Sequence, residues 1–521
     1  MTWRLGIRSR LTPVLEAPGF GWTCLGLVVG PSVLLFLLAS APGGTFTGAV
    51  PTGATAPSIL VRTARVFGFN DLGPPRSSEL AYALIAVACA GFVGVLLASR
   101  HGGISTRAVI GWSVALIAFA SVGPPLFSHD LYGYAVYSRL LVFHHANPYV
   151  QTPSVAPHDP FYPYNPWTHL RSVYGPAFTG LSAGLVWVFR SAAGTVAAFK
   201  VLSGVCWAAT TILAARLARR QGPTQACFAA ALIGLNPAVL FRTAAGGHAD
   251  AVVALLFVAA LTMWYDARPL LVTVFLTTAM LVKVVAAIPF LIFLVASIHS
   301  VPTTSDRIKA LGKHLAIVVA LSLVALAPFG YTPRVVSAIL SESSYSGGSL
   351  RPPEVMVSAR VASILRHVGL SHHIALSNRV IETVFLALAA LAFLVLVRPG
   401  DPRPVPERVL LALMIFVLCS PWLQPWYLAW FIPFIGFVTR KTLIAVAVTL
   451  SVIASESLVT QMTSNTVLRT LSRFSYDIYP ILDLALLIVL LVAVVRPLQR
   501  TLLTGTSGSA REPVLDYTDA S

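Results

Sequence analysis

Charge is what this sequence has least of. Only 11% of its 521 residues are charged, and just 19 are acidic, where a soluble chain carries roughly 25% charged residues. So little charge excludes water as the main solvent. Cysteine is scarce too. The five (Cys24, Cys89, Cys206, Cys227 and Cys419) lie in or beside apolar runs with no CxxC pair, which points to neither a disulfide framework nor a zinc site. No long basic tract or basic-aromatic stripe is present, so the net charge of +17 does not indicate nucleic acid. An internal repeat of the kind that marks many transporters is also missing.

What remains is apolar. Hydrophobic residues make up 56% of the chain and mean hydropathy is +0.79. Runs of about 20 apolar residues, enough to cross a hydrocarbon core of about 30 Å, recur throughout. This predicts an all-α, polytopic transmembrane bundle of about 12–14 spans. The bundle is expected to occupy residues 1–500 as one domain, followed by a Gly/Ser/Thr-rich, disordered cytoplasmic tail at 501–521. The first span has a basic start and an apolar core and reads as an uncleaved signal anchor.

The cations sit in short clusters between apolar runs, such as Arg4, Arg8 and Arg10, or Arg216, Arg219 and Arg220. Retention of positive loops in the cytoplasm explains the pattern, and it sets a parity with the N-terminus inside. Spans near 20–41, 79–99 and 108–127 then put residues 128–172 outside, as a large first outer loop. Residues 174–189 read as a re-entrant or interfacial helix, because a full crossing would carry Arg216, Arg219 and Arg220 outward. The same parity places 242–250, a second large loop at 331–377, and 420–427 on the outer side. The Pro-rich stretch 401–407 reads as a cytoplasmic linker. Four polar segments thus converge on one face of a multi-pass protein of the cell membrane.

Those segments hold the residues that can carry chemistry. Asp130 follows a span directly, with His129 before it; a carboxylate there can act as a general base or cap a helix. Between Tyr132 and Tyr174 the chain is crowded with aromatic and polar side chains: Tyr132, Tyr134, Asn147, Tyr149, Asp159, Trp167 and Tyr174. Aromatic rings stack on sugars while their polar tips hydrogen-bond, although an interfacial belt has the same composition. Asn236-Pro237 breaks a helix, and Arg242, His248 and Asp250 follow around Gly246-Gly247. Arg242 and His248 suit a phosphate, with Asp250 orienting His248 or meeting a hydroxyl; Arg242 can also snorkel to headgroups. Lys283 lies among apolar residues and needs a partner, either a lipid phosphate or a structural ion pair. Pro421 and Pro425 break the chain around Gln424, Trp426 and Tyr427.

This ordered set resembles the GT-C superfamily of membrane glycosyltransferases. More narrowly, it is similar to the polyprenol-phosphate-mannose-dependent α-mannosyltransferases of actinobacterial lipomannan assembly. The resemblance is carried by His129-Asp130-x-Tyr132-x-Tyr134, Asn147-Pro148-Tyr149, Tyr174-Gly175-Pro176, Asn236-Pro237, Gly247-His248-Ala249-Asp250, Lys283 and Pro425-Trp426-Tyr427. It implies a polyprenyl-phosphate mannose donor and an extracytoplasmic glycolipid or glycan acceptor, joined through an α-1,6 linkage with inversion. It makes Asp130 the base, matches His248 and Asp250 to the second outer-loop motif and puts Lys283 near the donor phosphate, where the chemistry of Arg242 and His248 adds two further candidates. The sugar and acceptor then meet His129, Tyr132, Tyr134, Asn147, Tyr149, Asp159, Trp167, Tyr174, Asp250, Gln424, Trp426 and Tyr427. No cofactor is implied, and the first loop lacks a DxD pair for a divalent metal. The rival reading is a transporter or flippase of lipid-linked sugars, which needs polar residues along a path across the membrane. A non-catalytic assembly scaffold is a third.

Overall fold

The computed structural model describes residues 12–42, 51, 56–340, 350, 352–460 and 466–504. Every regular element among the described residues is a helix. In chain order the first are α1 (Pro18–Ala39), the short α2 (Ser58–Val66), α3 (Pro74–His101), α4 (Thr106–Val122) and α5 (Asp130–Phe143). Next come α6 (Pro176–Val188), α7 (Ala192–Ala218), α8 (Pro223–Gly234), α9 (Asp250–Tyr265), α10 (Pro269–Val282) and α11 (Ala287–His299). The second half holds α12 (Thr304–Leu326), α13 (Arg334–Leu340), α14 (Pro353–His367), α15 (Ile374–Val397) and α16 (Val405–Cys419). It closes with α17 (Leu428–Ile435), α18 (Lys441–Thr460) and α19 (Thr466–Thr504).

Local sequence explains these boundaries. Proline opens α1, α3, α6, α8, α10 and α14, where its missing N–H would have had no intrahelical partner. Ser105, Ser191 and Thr303 cap α4, α7 and α12 by accepting a hydrogen bond from a first-turn backbone N–H, a device that stabilises a helix by about 1 kcal/mol.

Seven helices among the described residues are long and apolar enough to cross a membrane, and seven shorter apolar helices accompany them. The protein is a multi-pass membrane protein. Its centre is the segment Pro223–Ala244, 89% buried, whereas Thr304–Phe329 and Ser371–Val397 are only 11% and 17% buried. Leu315, Val319, Leu323, Leu391 and Leu394 point outward from these two. In water such a surface would aggregate; against acyl chains it is at home.

Three segments differ from the sequence reading. Residues 130–143, expected as loop, form α5. The tyrosines that made this stretch look polar, Tyr132, Tyr134 and Tyr137, are buried core residues, and Asp130 occupies the first turn, where a carboxylate suits the helix dipole. Residues 401–407, expected as a linker, are held in place, and 405–407 begin α16. Asp401 accepts from the Arg403 backbone N–H at 2.9 Å and from its guanidinium at 3.0 Å, and Arg403 also donates to the Val494 carbonyl of α19 at 2.5 Å. The final span, expected at 481–495, lies within the 39-residue α19, which carries Pro480 and Pro497. Residues 341–349 and 351 of the segment expected as a second outer loop, and 505–521 of the expected tail, lie outside the described residues; residues 501–504, also expected in that tail, are the end of α19.

Candidate active site

Three helix breaks bring the polar residues together. The first precedes α5. Phe127 adopts φ 59°, a left-handed conformation that is rare for a bulky residue, and the Ser128 hydroxyl then accepts from the Asp130 N–H at 3.1 Å. The second follows α8. The Asn236 side chain caps the turn begun by Pro237 and donates to Ser451 at 2.9 Å. A wide π-type turn, Leu240–Ala244, and Gly247 at φ 71° then swing the chain back into α9. The third separates α10 from α11 at Lys283, whose backbone is extended. There the Gly175 N–H donates to the Val282 carbonyl at 3.0 Å, supplying a partner that the broken helix does not. A β-carbon on Gly175 would stand 2.1 Å from the Leu281 carbonyl oxygen, so only glycine permits this approach.

The result is a chain of ionisable groups. Nδ1 of His248 lies 3.4 Å from Oδ2 of Asp130 and 3.9 Å from Oδ2 of Asp250. Oδ1 of Asp250 accepts from Lys283 Nζ at 3.2 Å and from Trp430 Nε1 at 2.6 Å. The His248 ring stacks on Trp426 with centroids 4.1 Å apart, and the Lys283 ammonium lies 5.0 Å and 5.1 Å from the Tyr427 and Trp430 rings. Asp250 and His248 are buried, while the Asp130 side chain keeps 13% of its surface.

Asp130 opens onto a cavity of about 360 Å³, the size of a small-molecule site. Of the expected residues, His129, Asp130, Trp167, Tyr174, Lys283, Gln424, Trp426 and Tyr427 line it. His248 and Asp250 stand behind Asp130 and Lys283.

The other expected residues are held elsewhere. Arg242, expected at the donor phosphate, donates through Nη1 to the Phe127 carbonyl at 3.1 Å and stacks on that ring from behind the cavity wall. Tyr134 packs edge-on against Tyr174 and Phe178, and its hydroxyl accepts from the Ala249 N–H at 3.4 Å. Tyr132 packs against Phe161 and Tyr164. Asn147 donates to the Phe329 carbonyl, and the Tyr149 hydroxyl donates to the Tyr174 carbonyl at 2.6 Å. Burial pushes the Tyr149 phenol up from its ordinary pKa, so it stays a donor. The Asp159 carboxylate is taken by Arg139 at 2.7 Å and His144 at 3.0 Å. These side chains shape the 144–175 segment rather than the cavity surface.

Sequence reasoning missed Trp430, Tyr137 and Arg171. Trp430 was within reach, since it lies one helical turn beyond Tyr427 and stacks on it at 3.9 Å. Arg171 is an exposed cation on the cavity lining, and nothing in its local sequence marks it. Lys200, buried in an apolar helix, carried the same signal as Lys283 and was overlooked.

Comparison with known families gives two matches. Residues 37–299 match the N-terminal domain described as alpha-(1->6)-mannopyranosyltransferase, and residues 354–496 match the MptB C-terminal domain. Comparisons with curated proteins and with solved structures give no match. The N-terminal match spans just over half of the chain and contains Asp130, His248, Asp250 and Lys283. A transferase family decides against the transporter and scaffold readings. The protein therefore belongs to the alpha-(1->6)-mannopyranosyltransferase family and is a membrane glycosyltransferase.

Proposed function

We propose that the cavity transfers mannose from a polyprenyl-phosphate donor to a hydroxyl of an extracytoplasmic glycolipid or glycan, forming an α-1,6 linkage with inversion. The observation that carries this reading is the exposed edge of Asp130 in a cavity that Lys283 also lines. A base and a cation then flank one space large enough for a sugar.

In this mechanism the Asp130 carboxylate takes the proton of the acceptor hydroxyl. The hydroxyl oxygen bonds to the anomeric carbon while the bond from that carbon to the phosphate oxygen breaks. The polyprenyl phosphate leaves with the electron pair, through an oxocarbenium-like state. Charge grows on the departing phosphate, where cations stabilise it. Lys283 and Arg171 both line the cavity, and both are assigned to the phosphate. Trp167, Trp422, Trp426 and Tyr427 supply stacking faces for the sugars. His248, between two carboxylates and against Trp426, holds Asp130 and Asp250 in register.

The test is turnover of a polyprenyl-phosphate mannose by the purified protein. Asp130→Asn keeps the shape and removes the base, and turnover is expected to fall on the order of 10²- to 10⁴-fold. Full activity in that variant would refute the assignment.

A further inference from the structure

Two buried cations outside the cavity have no role in the mechanism above. Lys200 on α7 is 1% exposed and Arg242, in the turn after α8, is 3% exposed. Among the described residues, no carboxylate pairs with either one. A cation within an apolar bundle is costly and seldom idle. Both donate to main-chain carbonyls of a single short segment. Lys200 Nζ donates to Gly123 and, at 2.9 Å, to Pro124; Arg242 Nη1 donates to Phe127 at 3.1 Å with its guanidinium over the Phe127 ring. This segment ends in the left-handed Phe127, the Ser128 hydroxyl turn and Asp130. Backbone strain at a bulky residue persists only where the surroundings over-determine it, and here the two cations do so.

We infer that Lys200 and Arg242 form a clamp on residues 123–127 that positions Asp130 against His248 and the acceptor hydroxyl. Both are positioning residues. The inference rests on the reading of Asp130 as the base. A competing account is purely structural: Lys200 neutralises the C-terminal carbonyls of α4, and Arg242 fills space. Under that account a variant loses stability, but the protein that folds turns over normally. A second competitor is direct contact of Arg242 with the donor, which would raise the donor KM instead.

The experiment measures kcat and donor KM for full-length Arg242→Gln, Arg242→Lys, Lys200→Met and Lys200→Arg, using polyprenyl-phosphate mannose in detergent. Only the monodisperse fraction is assayed. Displacement of a base by a fraction of an ångström to 1 Å costs on the order of 10- to 100-fold in rate. The neutral variants are expected to lose that much kcat with donor KM within about twofold, and the charge-retaining variants to recover part of it. Should Arg242→Gln not accumulate, Arg242→Lys carries the test, because its single ammonium holds the carbonyl less firmly. A reduced kcat at unchanged KM supports the clamp; wild-type kcat, or a change confined to KM, overturns it. Asp130→Asn is measured alongside. Full activity there refutes the base, whereas an inactive Asp130→Asn beside wild-type kcat in the clamp variants refutes the clamp alone.

Discussion

Asp250→Asn is the substitution whose consequence follows most directly from the structure. The Asp250 carboxylate is fully buried and receives Lys283 Nζ at 3.2 Å and Trp430 Nε1 at 2.6 Å. Asparagine keeps the shape and an acceptor oxygen but removes the charge that balances Lys283, itself only 7% exposed. An uncompensated buried charge left by such a change costs roughly 3–5 kcal/mol. A neutral polar contact between membrane helices, such as Thr273 with His314, is worth only about 0.6 kcal/mol. The ion pair should therefore dominate the stability of this region. Lys283→Met should cost a similar amount, since it strands the carboxylate instead. The double variant removes both charges, and replacing a whole buried pair with uncharged groups is often close to neutral.

The expected result is a strongly non-additive cycle: two large single losses and a double variant more stable than either. Unfolding in detergent, followed by intrinsic tryptophan fluorescence with denaturant, measures it. Additive losses, or an Asp250→Asn variant as stable as wild type, would refute the claim that this pair holds α9 to the break after α10. Activity should not recover in the double variant, because Lys283 is also assigned to the phosphate.

Three further outcomes are expected. Gly175→Ala places a methyl group 2.1 Å from the Leu281 carbonyl; backbone on both sides should make it lose about 1–3 kcal/mol in the same unfolding assay, with donor KM rising as Lys283 shifts. Arg171→Ala, at an exposed position, should leave stability within about 0.5 kcal/mol and raise donor KM; unchanged KM would remove Arg171 from the phosphate site. Every described cysteine is buried, so a cysteine placed at the exposed His158 or Arg219 reports sidedness. A membrane-impermeant thiol reagent should label His158→Cys in intact cells and Arg219→Cys only after lysis, and the reverse pattern would put the cavity on the cytoplasmic face.

Much of this molecule was legible in its residues. Low charge and long apolar runs dictated helices in a bilayer, because a backbone without water must satisfy its polar groups internally. Glycine, proline and buried charge marked the breaks after α8 and at Lys283, since each is expensive inside a plain span; the break before α5 was expected only as the end of a span leading into a loop. Asp130, His248, Asp250 and Lys283 stood out on those grounds, and they meet in space. Tertiary structure alone decided how each is used. Whether a tyrosine faces sugar or core depends on which helix packs over it, and local sequence carries no record of that. Tyr132 and Tyr134 went inward while Tyr174 and Tyr427 reached the cavity. Arg242 donates to the Phe127 carbonyl 115 residues away, and the partner that satisfies a guanidinium is likewise chosen by the fold around it. Asp250 takes its cation from 33 residues away and its indole from 180, and pairings over such distances exist only once the chain has closed on itself.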